Sequence, residues 1–388
     1  MFAYGIFKVI YSPIKAFKEI IEKPKYTGPI LIIILFALAN TGFGYAFLSK
    51  AYFDQTIPPA SDLDEWTENC TLWMSNVGTP MCSEDHVSGI YYGNRSIKFT
   101  IVNGSQIWMR LNITNPVNCS SSGGYRKLSF RMKWIRTDEV GPNVTAYLFS
   151  TPSDYFYCDL TQNFTESKSN VWNNLTIPIG SENKRWENSS VNAYWDNIDG
   201  LELNFTWPSL SNISVLIDGL FFHGVFKPVI EISIGYLFNY PLTAFVQFTI
   251  QWIILGGSLY LFCRTFRANA IWKVLLTVAG FVLITLFIKT IINTAAIAAS
   301  PEIHYPLKAL GGVPGEAEAS YNYIFEQTQL LYQFISYVEI VMGVWAAVLC
   351  AIAIRLLSEF SWIKSLPIGA LAYLAYFVVV NMVLPFLL

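Results

Sequence analysis

The chain has 388 residues, of which 53% are hydrophobic and only 13% are charged. A soluble domain carries about 25% charged residues, so this composition argues against a soluble enzyme and indicates a membrane protein. The formal net charge of −2 offers no basic field for nucleic acid. Three histidines in the whole chain argue against a histidine-rich metal site.

Five apolar segments are long enough to cross about 30 Å of hydrocarbon. The predicted spans are residues 29–49, 239–262, 271–298, 329–354 and 366–387. Residues 1–28 form an N-terminal segment before the first span. A polar stretch, residues 52–225, separates the first two spans, and a loop, residues 299–328, separates the third from the fourth. The pattern predicts a multi-domain membrane protein: a five-helix α transmembrane bundle with an external domain inserted between spans 1 and 2.

The distribution of basic residues predicts the orientation of the spans. Basic residues cluster before span 1 and in the turns that follow spans 2 and 4, whereas the loop 299–328 contains only Lys308. We therefore expect a cytoplasmic N-terminus, an extracellular or lumenal domain at residues 52–225, and an external C-terminus. We interpret the first span as an uncleaved signal anchor, and we favour the cell membrane over an internal membrane.

Glycosylation motifs support this sidedness. Eleven N-x-[ST] sequons all fall in the polar stretch, where a chain of this length would hold about two by chance. Their asparagines are Asn69, Asn94, Asn103, Asn112, Asn118, Asn143, Asn163, Asn174, Asn188, Asn204 and Asn212. An Asn/Ser/Thr-rich β domain that generates sequons by composition alone is the alternative. We predict N-linked glycans and no other cofactor.

Four cysteines lie in the polar stretch, on the side predicted to be oxidising. Cys70, Cys82, Cys119 and Cys158 suggest two disulfides, for which three pairings are possible. We favour Cys70–Cys82 with Cys119–Cys158. A zinc site built from all four thiolates is the alternative, but it lacks any C-x-x-C pair, so no metal is predicted.

Short runs of alternating polarity between turn signals predict an all-β sandwich over residues 88–223. The expected strands include residues 96–102, 106–113, 127–135, 144–149, 195–205 and 214–222. The last two, a strand led by Trp195 followed by I-D-G-L-F-F at residues 217–222, resemble the galactose-binding-like jelly rolls of carbohydrate-binding modules.

This resemblance implies that aromatic rings could stack on sugars. The available tryptophans are Trp108, Trp134, Trp172, Trp186, Trp195 and Trp207. Alternation points Trp134 and Trp195 inward. The alternative to sugar binding is therefore that these tryptophans fill the core or contact other proteins. Asp218 could hold a structural cation, as in related jelly rolls, or form a simple Asp-Gly turn.

Residues 11–24 predict an amphipathic helix along the cytoplasmic headgroups, with Ser12 as N-cap and Pro13 in its first turn. The pattern S-P-x-x-A-F-x-x-I-x-x-x-P before a first span resembles the Yip domain family of five-span proteins, related to the Yip/Yif trafficking proteins. Residues 262–275 resemble the family's basic turn but lack its usual glycines. With only about 28 cytoplasmic residues at the N-terminus, the GTPase contacts of eukaryotic relatives do not transfer.

Ionisable residues inside spans are costly and normally have a partner. Lys289 in span 3 and Glu339 in span 4 lie at matching depths, so we predict an ion pair between them. Asn293, Gln247 and Gln251 lie at similar depth and could complete a polar pocket that opens to the outside. The pair either secures helix packing or belongs to a solute path.

The enzyme motifs H-E-x-x-H, G-x-S-x-G and G-x-G-x-x-G are absent from the sequence, so we predict a non-enzyme. The preferred interpretation is a Yip-type membrane scaffold whose glycosylated sandwich contacts other membrane or surface proteins. The alternative is a carbohydrate-binding or adhesin-like surface protein anchored by the spans. The second alternative is a transporter that uses the Lys289 and Glu339 cluster.

Overall fold

The structure, a computed structural model, describes residues 2–120, 123–136, 140–164, 168–232, 234–268 and 270–383, without the side chains of residues 2–5 and 383. The chain divides into two compact units. We call Met1–Ala51, Pro228–Ile303 and Gln327–Leu388 the helical unit, and Tyr52–Lys227 with His304–Glu326 the β unit.

The helices are α1 (Phe2–Tyr11), α2 (Pro13–Glu22), α3 (Thr27–Lys50), α4 (Glu65–Glu68), α5 (Thr161–Phe164), α6 (Val229–Ile232), α7 (Asn239–Thr265), α8 (Trp272–Val282), α9 (Ile284–Ala299), α10 (Leu307–Leu310), α11 (Glu316–Ser358) and α12 (Trp362–Val378). Most of the helical residues belong to the helical unit, whereas the short helices α4, α5 and α10 and the start of α11 belong to the β unit. Among the described residues, five helical segments are long and apolar enough to cross a bilayer: Thr27–Lys50, Ile234–Thr265, Trp272–Ala299, Glu316–Ser358 and Trp362–Met382.

Two of these segments differ from the predicted spans. The third is interrupted at Leu283, between α8 and α9. The fourth begins at Glu316 and runs for 43 residues, because the polar residues before the apolar run are rich in the helix formers Glu and Ala. The predicted loop 299–328 therefore contains a short strand, α10 and the first turns of α11, and its residues 304–326 belong to the β unit.

The N-terminal segment forms two helices rather than one. The Ser12 N–H donates to the Lys8 carbonyl oxygen at 2.8 Å, so Ser12 closes α1. Its side chain makes no capping hydrogen bond to α2, and the predicted cap is wrong in that respect. Phe17 is fully buried in the core of the helical unit, whereas Ile14 is half exposed. Part of the apolar face of α2 thus packs against other helices, and the rest of that face is exposed.

Small residues let the long apolar helices approach closely. In the helical unit, α3 packs against α7 and α9, and α7 packs against α8 and α12. A Cβ atom on Gly369 would lie 2.5 Å from the backbone nitrogen of Ala351. Glycine is therefore required where α12 crosses α11, as is common at helix contacts in membranes.

The strands belong to one antiparallel sheet. They are β1 (Ala51–Ile57), β2 (Trp73–Ser75), β3 (Met81–Ser83), β4 (Ser96–Val117), β5 (Lys127–Arg136), β6 (Asn143–Phe149), β7 (Tyr155–Asp159), β8 (Asn173–Pro178), β9 (Glu187–Asn188), β10 (Ile198–Pro228) and β11 (Ile303–Tyr305). Each of two long strands joins two of the predicted strands. β4 contains the predicted strands 96–102 and 106–113, and β10 joins those predicted at 195–205 and 214–222.

The long strands β4 and β10 turn this sheet into a sandwich-like fold. β10 pairs with β6 through Gly200–Thr206 and with β5 through Ile213–His223, and irregular register separates the two halves. Side chains that point inward from both halves form one apolar core, as alternation predicts for sheets facing each other. The predicted all-β sandwich is therefore confirmed as a sandwich-like antiparallel sheet.

Candidate functional site

Three partly exposed tyrosines lie together on the outer surface of the part of the sheet formed by β4, β10, β6 and β7. Alternation along β6 and β7 buries Ala146, Leu148 and Phe156 and turns Tyr147, Tyr155 and Tyr157 outward. Antiparallel pairing then sets Tyr147 opposite Tyr157 and Phe149 opposite Tyr155. We call the outward surface formed by Tyr147, Phe149, Tyr155, Tyr157, Arg110 and Glu202 the tyrosine face.

The rings of the tyrosine face are in mutual contact. The ring centroids of Tyr147 and Tyr155 are 5.6 Å apart, and those of Tyr147 and Tyr157 are 6.4 Å apart. Phe149 lies 5.4 Å from Tyr155. These separations are typical of aromatic pairs, so each ring is held in place by its neighbours before any ligand arrives.

Two charged residues continue the face across β10 and β4. The register aligns Glu202 with Tyr147 on one side and with Arg110 on the other. Burial raises the pKa of Glu202, and Arg110 opposes that shift. The guanidinium carbon of Arg110 lies 3.8 Å from the centroid of Phe149, a cation–π contact. The Nε of Arg110 is buried and has no hydrogen-bond partner among the described residues.

Polar groups also support the rings from the edge. The Tyr157 hydroxyl donates to the Glu187 carboxylate on β9. This hydrogen bond and the Glu187 charge raise the pKa of Tyr157, so the phenol stays neutral. The face thus combines apolar ring surfaces with carboxylate, guanidinium and hydroxyl groups, a combination that can stack on and hydrogen-bond a polyhydroxylated ring.

The tryptophans singled out from the sequence lie elsewhere for the most part. Trp134, Trp186 and Trp207 are buried in the core. Trp195 is partly buried and stacks on Phe156, with ring centroids 3.9 Å apart. Of the six, Trp108 is outward on β4, opposite Asn204 of β10. The alternation Tyr155-Phe156-Tyr157 after a turn was the signal in the sequence that could have indicated the tyrosines.

The sequon asparagines are accessible with one exception. Ten of the eleven are exposed, and Asn204 is partly buried. The Asn204 carboxamide oxygen accepts a hydrogen bond from Gln106 Nε2 at 3.0 Å. Asn204 and the exposed Asn112 lie on the same outward surface as the tyrosine face, so a glycan on either would stand beside the rings.

The cysteines follow the prediction only in part. Cys70 and Cys82 form a disulfide, which confirms that pairing. Cys119 and Cys158 are unbonded, so the second favoured pairing is wrong. Both thiols point into the apolar core, and burial is the main factor that raises the pKa of each. They pack as small apolar side chains rather than as a cross-link.

Two buried carboxylates join the start of the β unit to its last long strand. Asp218 accepts from the backbone N–H of Val87 at 2.6 Å and of Gly219 at 2.7 Å. The Thr67 hydroxyl contacts both Asp218 and Asp64. Desolvation raises the pKa of Asp218 to about 6 and that of Asp64 well above its usual value.

The Asp64 and Asp218 arrangement favours the turn interpretation of Asp218, because its carboxylate is saturated by backbone donors and Thr67. Among the described residues, no cluster of three or more His, Cys, Asp or Glu side chains is placed to hold a metal ion. Hydrogen bonds within the protein therefore stabilise the carboxylate of Asp218.

In the helical unit, the structure brings together four of the five polar residues singled out within spans. Lys289 Nζ lies 3.1 Å from Glu339 Oε1. Both line a pocket of about 270 Å³ together with Gln247 and Gln251. The Tyr376 hydroxyl donates to Gln251 Oε1 at 2.7 Å. Asn293 is buried outside this lining, and its Oδ1 has no hydrogen-bond partner among the described residues.

Comparison with family models and with curated proteins finds no match. The resemblance of the helical unit to the Yip family therefore stays a prediction. Solved structures do match part of the chain.

Three of these structures illustrate the similarity. A family 11 carbohydrate-binding module from Clostridium thermocellum, in complex with a β-1,3-1,4-mixed-linked tetrasaccharide, is 14% identical, with a TM-score of 0.28 over 43% of this chain and 94% of the module. A family 61 module in complex with β-1,4-galactotriose is 8% identical, with a TM-score of 0.22 over 41% of this chain and 91% of the module. A β-1,2-glucanase from Parabacteroides distasonis is 14% identical, with a TM-score of 0.26 over 45% of this chain and 24% of the enzyme.

Proposed function

We propose that the β unit binds carbohydrate through the tyrosine face and that the helical unit anchors it in a membrane. The observation that carries the proposal is the gathering of Tyr147, Tyr155 and Tyr157 with Arg110 and Glu202 on one outward surface. Outward aromatic clusters are unusual on a soluble surface unless they contact something. The jelly-roll assignment of the sandwich belongs to the same proposal.

The chemistry of the face favours a neutral glycan. Tyrosine rings offer apolar surface to the C–H groups of a pyranose, while their hydroxyls remain available for hydrogen bonds. Arg110 supplies a guanidinium group, and the carboxylate of Glu202 lies opposite it across the pairing of β4 with β10. Because Arg110 and Glu202 carry opposite charges, these two residues together give no net attraction for a strongly anionic or cationic sugar. We propose an unbranched neutral oligosaccharide as the ligand class.

Sidedness is part of this proposal. A cytoplasmic N-terminus and five crossings would place the β unit and its sequons outside the cell. The distribution of lysine and arginine supports that orientation, and the exposure of ten sequon asparagines is compatible with glycosylation. A surface protein held by five spans could then bind a glycan of a neighbouring cell, of a cell wall or of its own envelope.

The test uses the full-length protein in lipid nanodiscs on an array of neutral oligosaccharides that includes mixed-linked β-glucans. We expect binding that Tyr157→Ala and Arg110→Gln each weaken by about tenfold, because each removes one contact to the sugar. Trp172→Ala is the matched control, since Trp172 is a partly exposed aromatic residue that contacts Asp85 rather than the tyrosine face.

The protein's own glycans require a second control. Asn112→Gln with Asn204→Gln removes the sequons beside the rings, so that a bound glycan of the protein itself cannot mask the face. Absence of array binding by both the wild-type protein and this double variant would refute carbohydrate binding. Equal losses in Trp172→Ala and Tyr157→Ala would refute the assignment to the tyrosine face.

A further inference from the structure

We propose that a pocket between the end of α7 and the start of α12 binds the headgroup and upper acyl chain of one anionic phospholipid. The pocket has a volume of about 530 Å³, and Phe266, Arg267, Ile363, Lys364 and Pro367 are among the residues that line it. All of them belong to the helical unit. The proposal is independent of carbohydrate binding by the β unit.

The first argument is the position of the two cations. Arg267 follows the last residue of α7, Thr265, by two positions, and Lys364 is the third residue of α12. Both helices are long and apolar enough to cross a bilayer. Their ends therefore lie at headgroup depth whichever way the spans are oriented.

The second argument is that both cations are available. Within the part of the chain that the structure describes, neither Arg267 nor Lys364 forms a salt bridge, whereas Lys8 pairs with Glu19 and Arg355 lies over the Trp362 ring. Two neighbouring cations without carboxylate partners favour a bound anion such as a phosphate diester.

The backbone holds Arg267 in place. Its φ of +55° lies in the left-handed region, which is unfavourable for a residue with a side chain. Hydrogen bonds fix this conformation: the Arg267 N–H donates to the Arg264 carbonyl oxygen at 3.2 Å, and the Ala268 N–H donates to the Cys263 carbonyl oxygen at 2.8 Å. The turn therefore holds the backbone of Arg267 in one conformation, even though this position would suit glycine better.

The third argument is the apolar surface around the cations. The side chain of Ile363, between Trp362 and Lys364, is 86% exposed, and that of Phe266, next to Arg267, is 45% exposed. A free phosphate ion would leave these side chains uncovered. An amphiphile covers both kinds of surface at once, because its headgroup meets the cations and its acyl chain meets the isoleucine and phenylalanine.

The experiment is native mass spectrometry of the detergent-solubilised full-length protein, titrated with phosphatidylglycerol and, separately, with phosphatidylcholine. We expect one phosphatidylglycerol to bind more tightly than phosphatidylcholine. The double substitution Arg267→Gln with Lys364→Gln should weaken that step about thirtyfold, given the usual contribution of each cation at a membrane surface. Lys23→Gln with Lys273→Gln is the matched control, since it removes the same charge from two exposed lysines outside the pocket.

Several outcomes would overturn the proposal. Equal losses in the two double variants would show that only the overall charge matters. Equal binding of the two lipids would show that no anion is selected. Competition by inorganic phosphate at the strength of phosphatidylglycerol would show a free-anion site. If the first double variant fails to fold, Lys364→Gln alone, on an exposed residue of the first turn of α12, should weaken the same step about fivefold, and an unchanged affinity would refute the site.

Discussion

Lys289 of α9 and Glu339 of α11 lie 50 residues apart in the sequence, and their side chains meet at 3.1 Å in the helical unit. The pair carries opposite charges within two apolar helices, beside the amides of Gln247 and Gln251. If these helices cross a bilayer as proposed, a lone charge within one of them would cost about 2.5–3.5 kcal/mol or more. Mutual neutralisation is the simplest reason for both residues to be present.

A double-mutant cycle tests the contribution of this pair. We expect Lys289→Met and Glu339→Gln each to lower the free energy of unfolding by about 2 kcal/mol, because each strands the other charge. The combination should cost less than the sum of the two. The measurement is denaturant unfolding in micelles, with Lys308→Met as a control outside the helical unit. Additive effects would show that the two groups are not coupled.

The buried pair of Asp64 and Asp218 contributes more to the stability of the β unit at acidic pH than at neutral pH. The pKa of Asp218 is about 6 in the folded chain, and that of Asp64 is also raised. The folded state therefore binds more protons than the unfolded state above about pH 4. This contribution is fully present below the unfolded pKa and is lost as the pH rises through 6, by about 3 kcal/mol for Asp218.

Asp64→Asn isolates the effect of the pair. Asp64 Oδ1 has no hydrogen-bond partner among the described residues, while Oδ2 accepts from the Leu220 N–H, so an amide fits without losing that bond. The surrounding ionisable groups, Arg131, Tyr92 and Glu316, are unchanged. We expect the variant to unfold at a higher temperature than the wild type at pH 7.5 and to show a weaker pH dependence between 4 and 7.5 by tryptophan fluorescence. An unchanged pH profile would contradict this interpretation.

Counting thiols distinguishes the observed cysteine pattern from the two-disulfide prediction. Six cysteines are present, and Cys119, Cys158, Cys263 and Cys350 are free in the structure. Denaturation without reductant should therefore expose four maleimide-reactive thiols, and reduction should add two. The folded protein should react slowly, since all four thiols are buried. Only two reactive thiols before reduction would indicate that Cys119 and Cys158 are bonded after all.

Glycopeptide mapping of protein from its native membrane tests the sequons. We expect sugar on the exposed asparagines and the lowest occupancy at Asn204, because its carboxamide is partly buried and bonded to Gln106. Gln106→Ala should raise occupancy at Asn204 if access limits it. Unmodified asparagines throughout, with the N-terminus and the β unit on the same side of sealed vesicles by protease protection, would contradict the proposed sidedness.

Periodic features were readable from the sequence because they are local. Alternation indicated which residues of β6 and β7 face the core, and apolar length indicated five helical segments. Counting residues from the ends of spans was enough to suggest that Lys289 and Glu339 meet, since helix rise is constant. The Cys70–Cys82 disulfide spans 12 residues, a separation that local chain geometry allows.

Only the tertiary structure decided the rest. Tyr147 and Tyr157 become neighbours through the pairing of β6 with β7, and Arg110 joins them because β10 lies between β4 and β6. Asp64 meets the turn after Asp218 across 156 residues, and Cys119 and Cys158 enter the core without bonding. No local pattern encodes these contacts, because strand order and register follow from burying all the inward side chains at once. The sequence determined which residues face outward, and packing determined which of them stand together.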